Sequence, residues 1–306
     1  MVHPPPGLTG SVARMKVRVG IGVSSSTADV IGPALAAITD LGFDSLWLPE
    51  LLTGDAFDPM VALAWAAARY PALKLGTTML LPGRNLVRLA KQLASLDALS
   101  NGRLLVTFVP GINRGAEASA IGLPLGQRRS AMAEALPVLR RLLAGQETSH
   151  EGSAGGFEAV RLRPLPVQQP LEFWLGGSAP RSLELCGQLA DGWLPSLLTP
   201  EQAQLGRERV QAAAAAAGRE IDPEHFGVSI GYSRTPLSDD VARRLADRAG
   251  GTELARLVPI GPDALRTMIG EFVAAGMSKF VLRPMGTADY PAELARLADE
   301  VLDLQT

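Results

Sequence analysis

Pro170-Leu171-Glu172-Phe173-Trp174-Leu175-Gly176-Gly177-Ser178-Ala179-Pro180-Arg181-Ser182, running on to Asp191-Gly192-Trp193, is the stretch from which the rest of the chain can be read. Leu171 to Leu175 is a short apolar run, the mark of a buried strand, and it breaks at two glycines. Ser178 is placed as an N-cap, Pro180 suits a first helical turn, and Leu183, Cys186, Leu189 and Ala190 recur at helical spacing. Another apolar piece, Gly192-Trp193-Leu194, follows at once. Strand, tight turn, helix and strand in so few residues require parallel strands joined by a right-handed crossover.

The turn in the middle has chemistry of its own. Bare backbone N–H groups beside glycine, at the positive end of a helix dipole, favour an oxyanion such as phosphate. Arg181 sits in the first turn, where a cation opposes the dipole unless an anion satisfies both. The plain alternative is a tight turn with Arg181 paired to Glu184, and a Gly-Gly after a strand leaves both readings open.

Outward from this unit the same alternation repeats. Toward the start, strands are predicted over Lys16–Val23, Phe43–Leu48, Leu73–Leu80 and Arg103–Val109, with helices over Asp29–Leu41, Asp58–Arg69, Val87–Leu99 and Ala131–Leu143. Toward the end come a helix over Glu201–Ala217, a strand over Phe226–Tyr232, a helix over Asp263–Ala275, a strand over Lys279–Leu282 and a helix over Ala292–Leu304. Glu151 to Gln169, rich in glycine and proline, interrupts the rhythm and reads as a hairpin or loop insertion, about residues 150–170, ahead of the fifth strand. Eight β/α units give an α/β fold, a (β/α)8 TIM barrel. An open doubly wound sheet lacks its fingerprint here, since Gly20-Ile21-Gly22 has no third glycine. Residues 1–14 read as a disordered tail, and 15–306 as one barrel domain.

Composition narrows the function. The formal net charge is −2 with basic residues scattered, which argues against nucleic acid as the main partner. A single cysteine, Cys186, excludes a disulfide framework and suits a reducing cytoplasm. His3, His150 and His225 are too dispersed for a metal site, and no apolar run has the length of a membrane span.

In a barrel the chemistry sits at the carboxyl ends of the strands. That places Ser24, Ser25, Ser26, Glu50, Thr77, Thr78, Asn113, the Gly176-Gly177-Ser178 turn, Tyr232 and Arg283 around one mouth. Ser24 to Ser26 read as a helix cap, and Trp47 as core. Glu50 is the one acid placed by strand position, either as a functional acid or as an acceptor for the neighbouring loop. Hydroxyls at Thr77 and Thr78 inside an apolar strand need partners, from backbone or from a ligand ring. A phosphate grip with so little acid–base equipment points to chemistry done by a bound cofactor.

Several pieces, taken in order, carry a family resemblance: Gly42-Phe43-Asp44-Ser45-Leu46-Trp47-Leu48-Pro49-Glu50, Leu75-Gly76-Thr77-Thr78, Leu89 to Asp97, Leu99-Ser100-Asn101-Gly102-Arg103-Leu104, Pro164 to Pro170, Trp174-Leu175-Gly176-Gly177 and Leu189 to Pro195. Together they resemble the bacterial luciferase-like superfamily of flavin- and deazaflavin-dependent oxidoreductases, over nearly all of residues 16 to 304. The resemblance implies a barrel, often a homodimer, that binds coenzyme F420 or FMN at the strand ends and acts on a small organic substrate. It places Thr78-Met79 at a strand-three bulge, frequently with a non-prolyl cis peptide, behind the cofactor ring. It assigns the Gly176-Gly177-Ser178 turn to the cofactor phosphate. Glu50 falls where many deazaflavin members carry an acid, as the candidate catalytic residue, but Leu51 follows it where many carry histidine. Pro110-Gly111 replaces the glycine-rich sequence common after strand four. Candidate cofactor contacts are therefore Thr77, Thr78, Met79, Gly111, Asn113, Gly176, Gly177, Ser178 and Arg181. The overall pattern favours F420; an FMN monooxygenase is the alternative, and a cofactor-free binding protein is a third possibility of another class.

Overall fold

Strands and helices alternate along the chain in the computed structural model, which describes residues 15–24, 27–112, 115–153, 155–287 and 289–306. The first half runs β1 (Arg18–Gly22), α1 (Ala28–Asp40), β2 (Ser45–Pro49), α2 (Pro59–Arg69), β3 (Lys74–Leu80), α3 (Leu86–Leu99) and β4 (Leu104–Val109). A short α4 (Gly115–Ala120) and a long α5 (Leu125–Leu143) lead into an antiparallel hairpin of β5 (Thr148–His150) and β6 (Phe157–Val160). The alternation resumes with β7 (Phe173–Leu175), α6 (Pro180–Leu189), β8 (Gly192–Trp193), α7 (Pro200–Ala216), β9 (Gly227–Tyr232), α8 (Asp239–Ala246), α9 (Pro262–Ala274), β10 (Lys279–Pro284) and α10 (Tyr290–Val301). The predicted tail 1–14, with Ser25, Ser26 and Asn113, lies outside the described residues.

Eight strands pair in parallel in the order β8-β7-β4-β3-β2-β1-β10-β9. The outer two then meet: Trp193 bridges Phe226 and Ser196 bridges Ser229. The Trp193 N–H donates to the His225 carbonyl at 2.9 Å and the Ser229 N–H to the Pro195 carbonyl at 2.8 Å. The fold is a (β/α)8 barrel with the β5–β6 hairpin inserted ahead of its fifth strand, β7.

Successive strand residues face the lumen and the helices in turn. Trp47, Trp174, Leu194 and Val281, drawn from four strands or strand exits, form a buried cluster of their own in the lumen. They fit because other strands carry glycine at that level. A Cβ on Gly76 would stand 2.2 Å from the Trp47 ring, and one on Gly192 would stand 2.4 Å from the Trp174 ring. Residues of the opposite parity, such as Leu75, Met79, Val106 and Phe108, join Leu89, Leu93, Leu136 and Leu139 in the main core between sheet and helices.

At the amino ends of the strands the lumen is closed by charge. The Asp44 carboxylate, 8% exposed, meets Lys74 Nζ at 2.7 Å, Lys279 Nζ at 3.4 Å and Arg18 Nε at 3.7 Å. Burial raises its pKa, but Lys279 and Lys74 outweigh that and hold the carboxyl below the ordinary aspartate value. Burial also lowers the Lys279 amine, against the pull of Asp44.

Two of the motif pieces are structural devices. Asp97, fully buried, accepts from the Gln168 backbone N–H at 2.9 Å and from Gln168 Nε2 at 2.6 Å, pinning the end of the insertion to α3. Arg103 donates to the carbonyls of Ser100, Tyr70, Leu73 and Ala67, locking the α2–β3 and α3–β4 corners together.

Where the structure departs from the sequence reading, the cause is local. Helix α5 begins at Leu125, ahead of the predicted Ala131, because its first turns put Arg128 where an apolar residue would mark the face. Arg128 is 2% exposed and donates to the carbonyls of Leu123, Ile112 and Ala118. Helices α4 and α8 bury no residue, so no hydrophobic periodicity announces them. The cap of α1 is Thr27, which makes no side-chain capping bond, rather than Ser24 to Ser26.

Candidate active site

The carboxyl ends of the strands form one mouth, and the β7–α6 turn is its most distinctive part. The Gly176 N–H stays in the sheet, donating to the Phe108 carbonyl at 3.0 Å, and a Cβ on Gly176 would lie 2.7 Å from Val109 Cγ1. Gly177 has φ +96°, a conformation that glycine adopts without the cost a side chain brings, and its carbonyl accepts from Trp193 Nε1 at 2.9 Å. The chain needs one more residue than predicted before the helix begins. Ala179, not Ser178, is the N-cap, because Pro180 takes the first helical position.

That shift matters, because alanine has no side-chain acceptor. The first-turn amides of α6 are left without a side-chain cap, and Ser178, Ala179 and Arg181 are exposed there. Arg181 makes no ion pair with Glu184 or any other described residue. Beside the turn lies a cavity of about 230 Å³ bounded by Ser178, Trp193, Gln202, Gly206 and Arg209. Arg209, on α7, is exposed and has no partner among the described residues. An uncapped helix start, two cations without carboxylates and a serine hydroxyl make a site that draws an oxyanion.

On the β3–β4 side, Thr78 and Thr107 are neighbours in register and share the lumen face with Gly76 and Leu105. Thr78 is partly exposed, whereas Thr107 Oγ1 is buried with no hydrogen-bond partner among the described residues. Thr77 and Met79 have the opposite parity and are fully buried toward the helices, so their side chains are not at the mouth. The strand-three bulge is absent. Pairing runs unbroken from Leu75↔Leu104 to Leu80↔Val109, and the Thr78–Met79 peptide is trans, the cis bonds among the described residues being Arg163–Pro164 and Gln169–Pro170. Regular ladders to β2 on one side and β4 on the other hold β3 in ordinary extended geometry.

Glu50 is buried and engaged. Its carboxylate accepts from the Leu80 N–H at 2.8 Å and from Arg84, whose Nε also donates to the Leu80 carbonyl at 2.8 Å. Through these bonds the residue braces the loop after β3. Burial raises its pKa above the ordinary 4.5, against Arg84 and the Leu80 amide. The folded protein then holds this proton more tightly than the unfolded chain does, so ionisation opposes folding as pH rises through the folded pKa. Wild-type stability should therefore fall relative to Glu50→Gln as pH is raised from about 4 to about 7. Thermal melts across that range test this, and parallel curves for the two proteins would contradict it.

At the exit of β4, Gly111 has φ +80°, and a Cβ there would stand 2.4 Å from Ile121 Cδ1. Arg128 holds this loop by its carbonyls. Across the mouth, Arg283 at the end of β10 shares the lumen face with Val281. Tyr232 is buried beside Arg234, away from the mouth, and its hydroxyl has no hydrogen-bond partner among the described residues. Cys186 is buried with its thiol pushed up by desolvation, its Sγ donating to the Gly192 carbonyl at 3.4 Å. Among the described residues no group of three or more His, Cys, Asp or Glu is placed to hold a metal, and no helix is long and apolar enough to cross a membrane. The mouth thus gathers Glu50, Thr78, Gly111 and the Gly177-Ser178-Arg181 turn, and adds Thr107 and Arg209. Thr107 could have been found by its parity, whereas only the folded packing of α7 on α6 reveals Arg209.

Residues 10–299 match the family model described as luciferase-like monooxygenase. The chain belongs to that family. The chain is similar to the 5,10-methylenetetrahydromethanopterin reductase of Methanolobus tindarius, 27% identical over 72% of this chain and 65% of that protein, so the chain spans just under two thirds of its length. The fold is shared with an F420-dependent secondary alcohol dehydrogenase solved with an F420–acetone adduct, at TM-score 0.80 and 18% identity over 95% of this chain and 100% of that one. It is shared too with the oxygenating constituent of 3,6-diketocamphane monooxygenase, from a Pseudomonas putida plasmid, in complex with FMN, at TM-score 0.72 and 16% identity over 94% of this chain and 96% of that one.

Proposed function

We propose that this luciferase-like protein is an oxidoreductase that binds coenzyme F420 at the barrel mouth and uses it on a small organic substrate. The observation that carries the reading is the uncapped start of α6 behind Gly177, with Ser178, Arg181 and Arg209 around it. This donor set suits the phosphate of a flavin-type cofactor. Thr78 and the unpartnered Thr107 hydroxyl, facing the lumen, suit the polar edge of its ring. Bound there, the deazaflavin would supply a hydride carrier that reacts poorly with oxygen. The chain's own part would be to grip the phosphate, back the ring and keep water from it. Glu50, engaged with Leu80 and Arg84, would set the β3 loop in place.

F420 is favoured over FMN by the sequence resemblance and by the higher TM-score of the F420-dependent neighbour. The FMN-bound neighbour supports the second reading, an FMN monooxygenase. Difference spectra during titration with each cofactor separate the two. Tighter F420 binding without oxygen consumption is the expected result; tighter FMN binding with oxygen consumption would reverse the choice. If neither binds a well-folded protein, the cofactor-free reading takes its place. A homodimer belongs to the same proposal: Val61 and Trp65 on α2 are 69% and 40% exposed, an apolar face suited to a second copy. Light scattering at twice the chain mass of 32.2 kDa would bear this out.

A further inference from the structure

Three strands around the barrel from the phosphate turn, Arg283 is a cation with no counter-charge among the described residues. Its side chain lies in the lumen against β1, where a Cβ on Gly22 would come within 2.5 Å of Arg283 Cγ. Its Nε is buried and has no hydrogen-bond partner among the described residues, and no described carboxylate forms an ion pair with it. Lys279 is paired with Asp44, Arg234 with Glu293 and Glu300, and Arg128 with backbone carbonyls, whereas Arg207, whose Nε is likewise buried without a hydrogen-bond partner among the described residues, lies over the Phe226 ring. The charges that bear on Arg283 are another cation, Arg248, and the phenol of Tyr290. Burial, reinforced by Arg248, pushes the guanidinium pKa down to about 10, so it stays charged at neutral pH. A cation whose Nε is out of water, with no carboxylate beside it among the described residues, is stabilised when an anion arrives.

We infer that Arg283 is the anchor for an oxyanion on the substrate, a carboxylate, sulfonate or phosphate on a small organic body. This rests on the proposed function, in which the cofactor phosphate occupies the α6 side and leaves the β9–β10–β1 sector to the substrate. The side chains that border that sector, Arg283 over Gly22 and Met285 over Gly231, pack against glycines and not against bulkier residues. A planar guanidinium whose donors have no hydrogen-bond partner among the described residues matches an oxyanion better than a neutral alcohol.

The test titrates the whole protein, without cofactor, with benzoate, phenyl phosphate and neutral benzyl alcohol, read by calorimetry. Wild type should bind benzoate or phenyl phosphate at least tenfold more tightly than benzyl alcohol, and the better of the two names the oxyanion. Arg283→Met should lose that preference while F420 affinity stays within twofold. Its melting temperature should hold or rise, since a buried unpaired charge has gone. Arg283→Lys should keep part of the preference, and Arg209→Gln, on the cofactor side, should keep all of it for benzoate. Equal benzoate affinity for wild type and Arg283→Met would overturn the inference. A parallel loss of F420 would also overturn it, by placing Arg283 in the cofactor grip. If F420 fails to bind wild type but the anion preference still depends on Arg283, the proposed function falls and the anion site stands.

Discussion

Asp44→Asn is expected to destabilise the protein by about 3 kcal/mol, the lower end of the range for breaking a buried ion pair by removing one partner. The carboxylate is the common partner of Arg18, Lys74 and Lys279 at the closed end of the lumen, and asparagine leaves all three without it. Lys279 bears the main penalty because its side chain is only 10% exposed. Lys74, at 43%, and Arg18, at 31%, can turn to water, which is why the lower end applies. The sign with pH follows from the lowered pKa of Asp44. Its contribution is complete above the unfolded value of about 3.8 and is lost as pH falls through the lower folded value. Urea denaturation should thus separate wild type from Asp44→Asn widely at neutral pH and bring them together in acid. A gap that persists unchanged at low pH would mean that the carboxylate is not what holds the barrel floor.

Gly177→Val should cost cofactor binding far more than it costs the fold. Valine at φ +96° is strained, by about 1–3 kcal/mol, and the turn can relieve that only by changing conformation. No clash adds to this, since a Cβ there would sit 3.6 Å from Ser182 Cβ. The barrel keeps its own reinforcement through Gly176, whose amide remains in the sheet. The expected result is a melting point a few degrees lower and F420 affinity reduced about 100-fold, two decades at about 1.4 kcal/mol each. Gly176→Val makes the contrasting case. Its Cβ would meet Val109 at 2.7 Å, so it should fail as a folding mutant first. If Gly177→Val binds F420 as wild type does, the turn is not the anchor.

The barrel was legible because its strands are short apolar runs between helices of clear periodicity, and because glycine and proline mark the hairpin before β7. Helices α4 and α8 stayed hidden because, with no buried face, they leave no pattern. The site was legible in part. Gly176-Gly177 stood out as a phosphate turn, but Ser178 looked like the cap because serine is a good capping residue, and the position of Pro180 decided otherwise. Thr77, Thr78 and Met79 looked alike as neighbours in one strand, yet the two-residue period sends only Thr78 into the lumen. The bulge expected at Thr78-Met79 came from family resemblance alone, and the ladders of this chain run straight through it. Arg128, Arg209 and Arg283 are chemically identical in the sequence. Only packing makes one a loop clamp, one an exposed neighbour of the α6 start and one a lumen cation with no ion pair among the described residues.

The central claim is that the α6 turn holds a phosphate. The most direct measurement compares the affinity of the protein for F420 with its affinity for the same deazaflavin chromophore stripped of its phosphate tail. Binding should weaken at least tenfold without the phosphate, about 1.4 kcal/mol or more, and Gly177→Val should abolish the difference. Equal affinity of the wild-type protein for both molecules would contradict the account.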